Sequence, residues 1–401
     1  MIPYEGSNPV ERTGRVILLG STGSIGVNTL EVIRHLRDEC GIDYEVIGLA
    51  AGRNTELLAH QAREFGVGHL AISEPDVAFD PGGSATLLRG PQAATELVES
   101  IARPGDLVVG AIVGSSGVEP SLAALRHDCD LALANKEALV AAGRLVMDAA
   151  GASRGRIIPI DSEHSAIFQC LHAGGGREEV AKLILTASGG PFRTWDPERM
   201  HRATVEEALN HPTWSMGPKV TVDSASLMNK ALELIEAHWL FGMPADRLEA
   251  VIHPQSIVHS FVEFRDHSVI AQLSPPDMKL PIQYALTWPD RTPGCARRTD
   301  FGSFGDLEFQ PVDHDRFPAI RTAREVIAAP DSAGAVFNAA NEVAVEAFLD
   351  RRIPFGMILD SIRTTLERCP AREVASLEEV WAADREARKV AGECLANAAG
   401  T

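Results

Sequence analysis

The chain has little cysteine and no long apolar run. Its six cysteines are scattered over 401 residues without a CxxC pair, which argues against a disulfide framework or a zinc site. No apolar stretch approaches the roughly 20 residues that a membrane span needs. Residues 1–14 contain neither the apolar core of a signal peptide nor an Arg- and Ser-rich transit pattern. We therefore expect a cytoplasmic protein with no membrane partner.

Positive charge is also scarce. The 55 acidic residues outnumber the 37 basic ones, which gives a formal net charge of −18 with histidine neutral. Such a surface repels a polyanionic backbone, so we expect no nucleic-acid partner. A local basic site for a single phosphate group is still compatible with this composition.

Apolar runs alternate with amphipathic stretches through the first 160 residues. The apolar runs are RVILLG (15–20), YEVIGLAAG (44–52), HLAIS (69–73), DLVVGAIVG (106–114), DLALAN (130–135) and RIIPID (156–161). Short apolar strands separated by helices are typical of a parallel sheet covered on both faces. We therefore predict an α/β fold with an N-terminal doubly wound, Rossmann-like parallel sheet, and assign residues 1–160 to a dinucleotide-binding domain.

The pattern changes from about residue 181, and the chain length suits two or three domains. Residues 161–290 mix helical segments with strand-like ones, KVTVDSAS (219–226) among them, and the Pro-, Trp- and Met-bearing stretch 191–218 predicts a flexible loop. We expect a central α+β catalytic domain there, a linker over 291–315 and a C-terminal helical domain over 316–401.

Three glycines lie between the first predicted strand and the first predicted helix. Gly20, Gly23 and Gly26 occur in GSTGSIG with the spacing GxxGxxG. At such a turn, the missing side chains let backbone amides approach a pyrophosphate at the helix N-terminus. A tight strand–helix connection without a ligand is the alternative, since the spacing is not GxGxxG.

The end of the second predicted strand bears on which dinucleotide is bound. NAD-type sites commonly end this strand with an acid that binds the ribose 2′-hydroxyl, whereas a 2′-phosphate needs a cation. The segment LAAGRN supplies Arg53 and Asn54, which favours NADP over NAD. The alternative is an exposed loop arginine with no ligand.

Polar residues also follow the predicted strand DLALAN. Asn135, Lys136 and Glu137 stand where doubly wound folds bind ligands, and could face the nicotinamide. The alternative is local: Asn135 as a helix N-cap, followed by two surface residues of the first turn.

Two acids follow the last strand of the predicted sheet. Asp161 and Glu163 flank Ser162, and an extended backbone would point both carboxylates the same way. Paired carboxylates suit a hard divalent cation, Mg²⁺ or Mn²⁺. Ordinary helix-start chemistry, with Asp161 or Ser162 as N-cap, explains the same residues equally well.

A second polar cluster occurs in VDSASLMNKALELIEAHWLF. Asp223 or Ser224 can cap a helix on which Ser226, Asn229, Lys230 and Glu233 share a face. Hydroxyl, amide and ammonium groups at a helix start favour a phosphate, and Glu233 could reach a metal beside it. The alternative is a solvated face with a Lys230–Glu233 ion pair.

The segments TASGGPF and NHPTWSMGPK add further candidates. Ser188 follows a strand, and His211, Trp214 and Met216 lie in a Pro-bounded loop that could close over a substrate and exclude water. Trp214 could equally be a packing residue. His253 and His259 could handle protons, although an isolated histidine is more often structural.

Taken together, these motifs resemble the 1-deoxy-D-xylulose 5-phosphate reductoisomerases, NADPH-dependent enzymes of the non-mevalonate isoprenoid pathway. The matching segments are GSTGSIG, LANKE, DSEHSAIFQ, ASGGPF, HPTWSMGPKVTVDSASLMNKALELIEAHWLF, HPQSIVHS and FNAANEVAVEAFL, in order over nearly the whole chain. The stretch from Asp223 to Phe241 and the DSE triplet are the most specific. The resemblance implies the same domain plan and a homodimer.

The resemblance also implies roles for individual residues. The metal ligands, for Mg²⁺, Mn²⁺ or Co²⁺, would be Asp161, Glu163 and Glu233. Substrate contacts would come from Ser162, Glu163, Ser188, His211, Trp214, Met216, Ser224, Asn229, Lys230 and Glu233. NADPH contacts would come from Gly20, Thr22, Gly23, Ser24, Ile25, Gly26, Gly52, Arg53, Asn54, Asn135, Lys136, Glu137 and Gly217. The catalytic set would be Glu163, His211, Trp214, Lys230 and His259.

The implied reaction isomerises 1-deoxy-D-xylulose 5-phosphate and reduces the product to 2-C-methyl-D-erythritol 4-phosphate. One departure from the family pattern is Arg53, where many members have lysine. Two alternatives are a non-catalytic NADP-sensing protein and a semialdehyde or polyol dehydrogenase of similar plan. Metal-dependent NADPH consumption with the sugar phosphate, compared with simple aldehydes, distinguishes all three.

Overall fold

The computed structural model describes residues 10–79, 85–174, 177–302 and 305–399. The chain divides into two compact units. Among the described residues, the first unit comprises 10–138, 146–165 and 277–298, and the second comprises the remainder. The four-part division into domains and linker stays a prediction.

The first unit contains a parallel sheet. Its strands in the described residues are β1 (Arg15–Leu19), β2 (Glu45–Ala51), β3 (His69–Ile72), β4 (Thr86–Arg89), β5 (Leu107–Gly110), β6 (Asp130–Leu133) and β7 (Ile157–Pro159). Their spatial order is β4-β3-β2-β1-β5-β6-β7, and every pair is parallel. The order reverses direction at β1, which is the arrangement of a doubly wound fold. This confirms the predicted Rossmann-like sheet.

The buried strands explain the continuous apolar runs in the sequence. Residues Val16, Ile17 and Leu18 of β1 are all fully buried, as expected where helices cover both faces of a parallel sheet. The sequence did not indicate β4, whose four residues are exposed or half-buried at the edge of the sheet. An edge strand lacks the apolar signal because one side of it faces solvent.

Helices lie between most of these strands and after the last one. Those between strands are α1 (Ser24–Cys40), α2 (Thr55–Phe65), α3 (Ala93–Ile101), α4 (Val118–Arg126) and α5 (Lys136–Ala152), and α6 (Ser162–Gly174) follows β7. Local signals set several ends: Gly41 ends α1 in the left-handed conformation, and the side chain of Asn54 caps the start of α2. The starts of α1, α2, α5 and α6 therefore lie close to the carboxyl ends of strands.

The second unit contains a mixed sheet. Its strands are β8 (Val180–Ala187), β9 (Leu248–Ile252), β10 (Val258–Phe264), β11 (Val269–Leu273) and β12 (Gln310–Pro311), in the order β11-β10-β8-β9-β12. The pair β8–β9 is parallel and the other pairs are antiparallel. This is the sheet expected of the central α+β region.

The remaining helices complete the chain. They are α7 (Pro197–His201), α8 (Val205–Leu209), α9 (Pro218–Ala225), α10 (Met228–Phe241), α11 (Lys279–Thr287), α12 (Ala319–Ala328), α13 (Ser332–Leu349), α14 (Met357–Arg368) and α15 (Leu377–Ala399). Helix α11 belongs to the first unit, and α12 to α15 form the predicted C-terminal helical region. Among the described residues, no helix is both long enough and apolar enough to cross a membrane.

One predicted strand is wrong. The pattern of KVTVDSAS predicts a strand, but the segment lies in α9 up to Ala225, and Pro218 is at the first helical position. Alternating Val and Thr favour a strand only weakly, because packing against neighbouring elements decides the outcome. Proline at the first helical position and burial of Val222 and Ala225 favour the helix here.

Candidate active site

The glycine-rich turn lies between β1 and α1. Gly20 has a φ of 86°, and a Cβ there would lie 2.5 Å from the carbonyl oxygen of Ala111. A Cβ on Gly26 would lie 2.3 Å from the carbonyl oxygen of Gly20. Both positions therefore require glycine on steric grounds. The turn exposes Gly23 and Ser24 at the start of α1. The N–H of Gly23 donates to the carbonyl oxygen of Gly20 at 3.1 Å, so the amides that can receive an anion are those of the first helical turn, from Ser24 onwards.

A residue that the sequence did not indicate supports this turn. Gln61, on α2, is 4% exposed, and its Nε2 donates to the carbonyl oxygen of Ser21 at 2.8 Å. A buried glutamine on a helix carries no sequence motif, so only the fold identifies it. Its hydrogen bond ties the glycine-rich turn to α2.

Arg53 follows β2 and pairs with an acid that no sequence motif indicates. Its Nε lies 3.2 Å from Oε1 of Glu74, and the side chains are 78% and 40% exposed. Asn54 uses its Oδ1 to accept from the backbone N–H of Leu57 at 3.1 Å, so its oxygen caps α2. An exposed guanidinium at this strand end is accessible to a phosphate, with Glu74 as its competitor.

The segment after β6 has a clear local structure. Asn135 is 3% exposed, and its Oδ1 accepts from the N–H of Ala138 at 2.8 Å, so it is the N-cap of α5. Its Nδ2 donates to the carbonyl oxygen of Gly114 at 3.0 Å. Lys136 and Glu137 are buried rather than on the surface. The N-cap alternative therefore describes Asn135, whereas the surface interpretation of its two neighbours is wrong.

Asp161 and Glu163 stand at the start of α6. The expectation of an extended backbone through both acids is wrong, because the helix begins between them at Ser162. Asp161 Oδ2 lies 2.6 Å from Nζ of Lys136, which is 9% exposed. The hydroxyl of Ser162 donates to Glu163 Oε2. One carboxylate of the pair is thus already balanced by a nearly buried ammonium group.

In the second unit, His211 connects two serine hydroxyls. The Nε2 atom of His211 lies 3.0 Å from Ser188 Oγ and 3.1 Å from Ser224 Oγ. Its Nδ1 accepts from the backbone N–H groups of Thr213 and Trp214, at 3.1 and 2.9 Å. Because Nδ1 accepts two hydrogen bonds, the proton of the neutral ring must be on Nε2. Burial also lowers the pKa of His211, which favours the neutral form.

This arrangement brings three hydrogen-bond donors together. Two hydroxyl groups and one N–H suit an acceptor-rich anion such as a phosphate group. The sequence-based candidates Ser188, His211 and Ser224 therefore lie side by side. The backbone amides of Thr213 and Trp214, which orient the ring of His211, were not predicted. Any residue type can supply a backbone N–H, so the sequence contains no signal for these contacts.

The two charged residues of the polar stripe on α10 are buried, whereas Asn229 is half-buried and Ser226 precedes the helix. Lys230 is 3% and Glu233 is 1% exposed, and Glu233 accepts from both Lys230 Nζ and Asn229 Nδ2. The solvated-face alternative is therefore wrong, although its Lys230–Glu233 ion pair exists. The predicted caps are also wrong: Asp223 and Ser224 belong to the last turn of α9. Leu227, in the left-handed conformation, precedes α10 without a side-chain cap.

The remaining loop candidates differ in their surroundings. Trp214 and Met216 are half-buried, and Gly217 is exposed just before α9. The ring of Trp214 lies 6.2 Å from that of His259, whose Nε2 is 2.9 Å from Ser274 Oγ. The loop also contains the short helices α7 and α8. Closure of this loop stays a prediction.

His253 has a structural role. Its Nε2 accepts from the N–H groups of Ile257 and Val258, both at 3.1 Å, so its Nδ1 carries the proton and donates to the carbonyl oxygen of Glu308 at 2.8 Å. The ring is fully buried, and burial lowers its pKa. These contacts leave neither nitrogen for proton transfer.

Three family models match successive parts of the chain. One described as 1-deoxy-D-xylulose 5-phosphate reductoisomerase matches residues 16–143. One described as the C-terminal domain of that enzyme matches residues 157–241. One described as the DXP reductoisomerase C-terminal domain matches residues 273–390. The matches extend over both units.

Individual proteins with the same description are similar over nearly their full length. The 1-deoxy-D-xylulose 5-phosphate reductoisomerase of Rhodococcus jostii is 50% identical, over 94% of this chain and 93% of the relative. That of Nocardia farcinica is 52% identical, over 95% of this chain and 94% of the relative.

Solved structures give the same result. The reductoisomerase of Zymomonas mobilis in complex with NADPH has a TM-score of 0.86 and 40% identity, covering 96% of this chain and 99% of that chain. A DOX-P reductoisomerase in complex with NADPH, fosmidomycin and magnesium has a TM-score of 0.88 and 37% identity, covering 95% and 98%.

Proposed function

Since the chain belongs to the 1-deoxy-D-xylulose 5-phosphate reductoisomerase family, we propose that it isomerises 1-deoxy-D-xylulose 5-phosphate and reduces the product with NADPH. The final product is 2-C-methyl-D-erythritol 4-phosphate. The observation that carries this function is the 50–52% identity to reductoisomerases over 94–95% of the chain. A sensor or a semialdehyde dehydrogenase does not account for that identity.

Asp161, Glu163 and Glu233 are proposed to hold the divalent cation. Carboxylate oxygens are the ligands that Mg²⁺ and Mn²⁺ prefer. Asp161 is paired with the ammonium of Lys136, and buried Glu233 with that of Lys230, so the cation would share these carboxylates with two lysines. When bound, the cation supplies Lewis-acid polarisation of the substrate's carbonyl and hydroxyl oxygens.

The substrate's phosphate is proposed to bind at the donor cluster of the second unit. Ser188, His211 and Ser224 supply two hydroxyl groups and one N–H. Asn229 and Lys230 follow on the next helix, and Lys230 adds positive charge. Anchoring the phosphate far from the reacting carbons orients the substrate, which can contribute up to about 7–11 kcal/mol to catalysis.

NADPH is proposed to bind at the carboxyl edge of the parallel sheet. The exposed turn at Gly23 and Ser24 would take the pyrophosphate, and Arg53 the 2′-phosphate. When bound, NADPH supplies the hydride for the reduction. Trp214 and Met216 would cover the closed site and keep water from the aldehyde.

A homodimer is the proposed assembly. Within the part of the chain that the structure describes, strand β11 forms one edge of the mixed sheet, and Val269 at its start is 52% exposed. An apolar edge strand presents unpaired backbone groups that another chain can pair with. A cytoplasmic location stays a prediction.

The proposed function is tested by one assay with its matched variants. NADPH absorbance is followed with 1-deoxy-D-xylulose 5-phosphate, with and without Mg²⁺, and with simple aldehydes in its place. Turnover should require both the metal and the sugar phosphate. Glu233→Gln should lower turnover about a thousandfold, because metal polarisation contributes several kcal/mol, while NADPH binding measured by fluorescence is retained.

Glu249→Gln provides the control. Glu249 is a half-exposed acid on the mixed sheet, and it pairs with Lys182 at 2.6 Å. Glu249→Gln removes the same charge as Glu233→Gln, but from a residue with no assigned role in catalysis. Normal turnover is expected. Metal-independent turnover of simple aldehydes by the unaltered protein would instead favour the dehydrogenase alternative.

A further inference from the structure

A buried asparagine on α13, a helix of the C-terminal helical region, contacts a residue beside the candidate phosphate site. Asn341 is fully buried, and its Nδ2 donates to Asp223 Oδ1 at 3.0 Å. The two residues are 118 positions apart in the chain. The Oδ1 atom of Asn341 is buried without a hydrogen-bond partner among the described residues. Burying this amide is therefore costly, and its contact with Asp223 offsets part of that cost.

Asp223 itself depends on such partners. Its side chain is 2% exposed, and its second oxygen, Oδ2, lies 3.1 Å from Nζ of Lys219 one helical turn earlier. A buried carboxylate is tolerated when an opposite charge and hydrogen bonds satisfy its oxygens. Lys219 and Asn341 together meet that need, one on each oxygen.

Asp223 stands directly before a residue of the donor cluster. That residue is Ser224, whose hydroxyl lies 3.1 Å from His211 Nε2. Helix α9 ends at Ala225, and Leu227 adopts a φ of 57° before α10 begins. A leucine rarely adopts this conformation, which persists only where the surrounding structure holds it.

We propose that Asn341 is a positioning residue for the substrate's phosphate. By holding Asp223, it fixes the end of α9 and hence the direction of the Ser224 hydroxyl and the start of α10. Asn341 acts through Asp223 and does not itself touch the substrate. The inference rests on the proposed function, since it assumes that Ser188, His211 and Ser224 receive the phosphate.

The same helix offers a matched control. Asn338 lies one turn before Asn341, is also fully buried and also has an Oδ1 without a partner among the described residues. Its Nδ2, however, donates to Glu342 at 3.0 Å rather than to Asp223. Replacing either asparagine by leucine removes one buried amide from α13, but only one replacement releases Asp223.

The experiment compares Asn341→Leu with Asn338→Leu in the full-length enzyme. Asn341→Leu should raise KM for 1-deoxy-D-xylulose 5-phosphate about tenfold, because small displacements of positioning groups are costly. KM for NADPH should change less than about twofold. Asn338→Leu should leave both KM values within about twofold of the unaltered enzyme. Unchanged sugar-phosphate KM in Asn341→Leu, or an equal rise in both variants, would overturn the proposal.

Exchanging the amide and the carboxylate tests the contact between Asn341 and Asp223 directly. This experiment also replaces the first one if Asn341→Leu fails to fold. Asn341→Asp places two carboxylates together and should raise the sugar-phosphate KM at least about tenfold. Adding Asp223→Asn restores one amide facing one carboxylate, and KM should fall severalfold from the single variant's value. No recovery in the double variant would count against positioning through this pair.

Inorganic phosphate separates this inference from the proposed function. Inorganic phosphate should stabilise the folded protein and raise its Tm. This increase in Tm should be smaller in Asn341→Leu than in Asn338→Leu. If the unaltered protein shows no turnover, the proposed function fails, and the phosphate-induced shift still tests Asn341. Equal shifts in both variants would contradict the role of Asn341.

Discussion

His211 has its two ring nitrogens committed to different tasks. One nitrogen accepts from the loop amides of Thr213 and Trp214, and the other donates towards Ser188 and Ser224. The sequence shows that position 211 is a histidine, but not which of its ring nitrogens carries the proton. The direction of each hydrogen bond, which depends on the folded backbone, determines that the ring is neutral and which nitrogen can serve a phosphate.

Two substitutions should separate these tasks. Asparagine at 211 places an amide near the former Nδ1, and glutamine places one near the former Nε2. His211→Asn loses the donor to the phosphate and should raise the sugar-phosphate KM about 10- to 100-fold, since hydrogen bonds to charged groups contribute roughly 1.5–3 kcal/mol. His211→Gln should raise it clearly less. Steady-state kinetics measures both, and equal effects would contradict the assignment of donor and acceptor.

The lowered pKa of His211 has a consequence for stability. In the unfolded chain the imidazole of His211 titrates at about pH 6.5, and burial lowers the pKa of His211 in the folded chain. The stabilising contribution is therefore complete above about pH 6.5 and is lost as the pH falls through the lower folded pKa. We expect Tm to decrease as the pH is lowered through this range, and less steeply in His211→Asn. His253, whose pKa burial also lowers, would contribute equally to both proteins.

At the scale of secondary-structure elements, the ends of paired strands bring together residues that are distant in the sequence. Strands β2 and β3 are paired in parallel, with Ala51 opposite Ile72. Arg53 and Glu74 follow these strand ends and form an ion pair. The sheet register therefore brings together a cation proposed to bind NADPH and an acid that competes for it.

This pair gives a prediction about cofactor choice. Arg53→Asp should lower the preference for NADPH over NADH at least about tenfold, because a charge-assisted contact to the 2′-phosphate is lost. Glu74→Gln should improve KM for NADPH about two- to fivefold, in line with the small strength of exposed ion pairs, with KM for NADH unchanged. The ratio of kcat/KM for the two cofactors is the measurement. An unaltered ratio in Arg53→Asp would remove this residue from the cofactor site.

At the scale of the whole molecule, the proposed dimer depends on the edge of the mixed sheet. In that sheet β11 has one neighbouring strand among the described residues, β10, so its other side is an edge. Backbone pairing across such an edge joins two chains through one self-complementary surface when they are related by a two-fold axis.

A charged residue on this edge should weaken the dimer. Val269→Lys should increase the dissociation constant of the dimer at least about tenfold, because lysine on an edge strand disfavours pairing with another strand. Phe301→Lys is the control: Phe301 is 76% exposed and lies outside the strands. Light scattering over a concentration series measures the mass. A single-chain mass for the unaltered protein, or dissociation by the control alone, would contradict the edge-strand dimer.

The sequence by itself determined the elements with strong local signals. Continuous apolar runs predicted the parallel strands, and the spacing of Gly20, Gly23 and Gly26 predicted the strand–helix turn, because both depend on neighbouring residues only. The motifs also identified the family, including the serines and histidine that lie together in the second unit. The assignment of Asp161, Glu163 and Glu233 to one cation stays a prediction.

Only the tertiary structure decided the features that depend on distant contacts. It made α9 a helix where Val and Thr alternate, placed Gln61 against the glycine turn, and set Asn341 against Asp223 across 118 residues. Burial and long-range hydrogen bonding determine such positions, and neither is encoded in a local pattern.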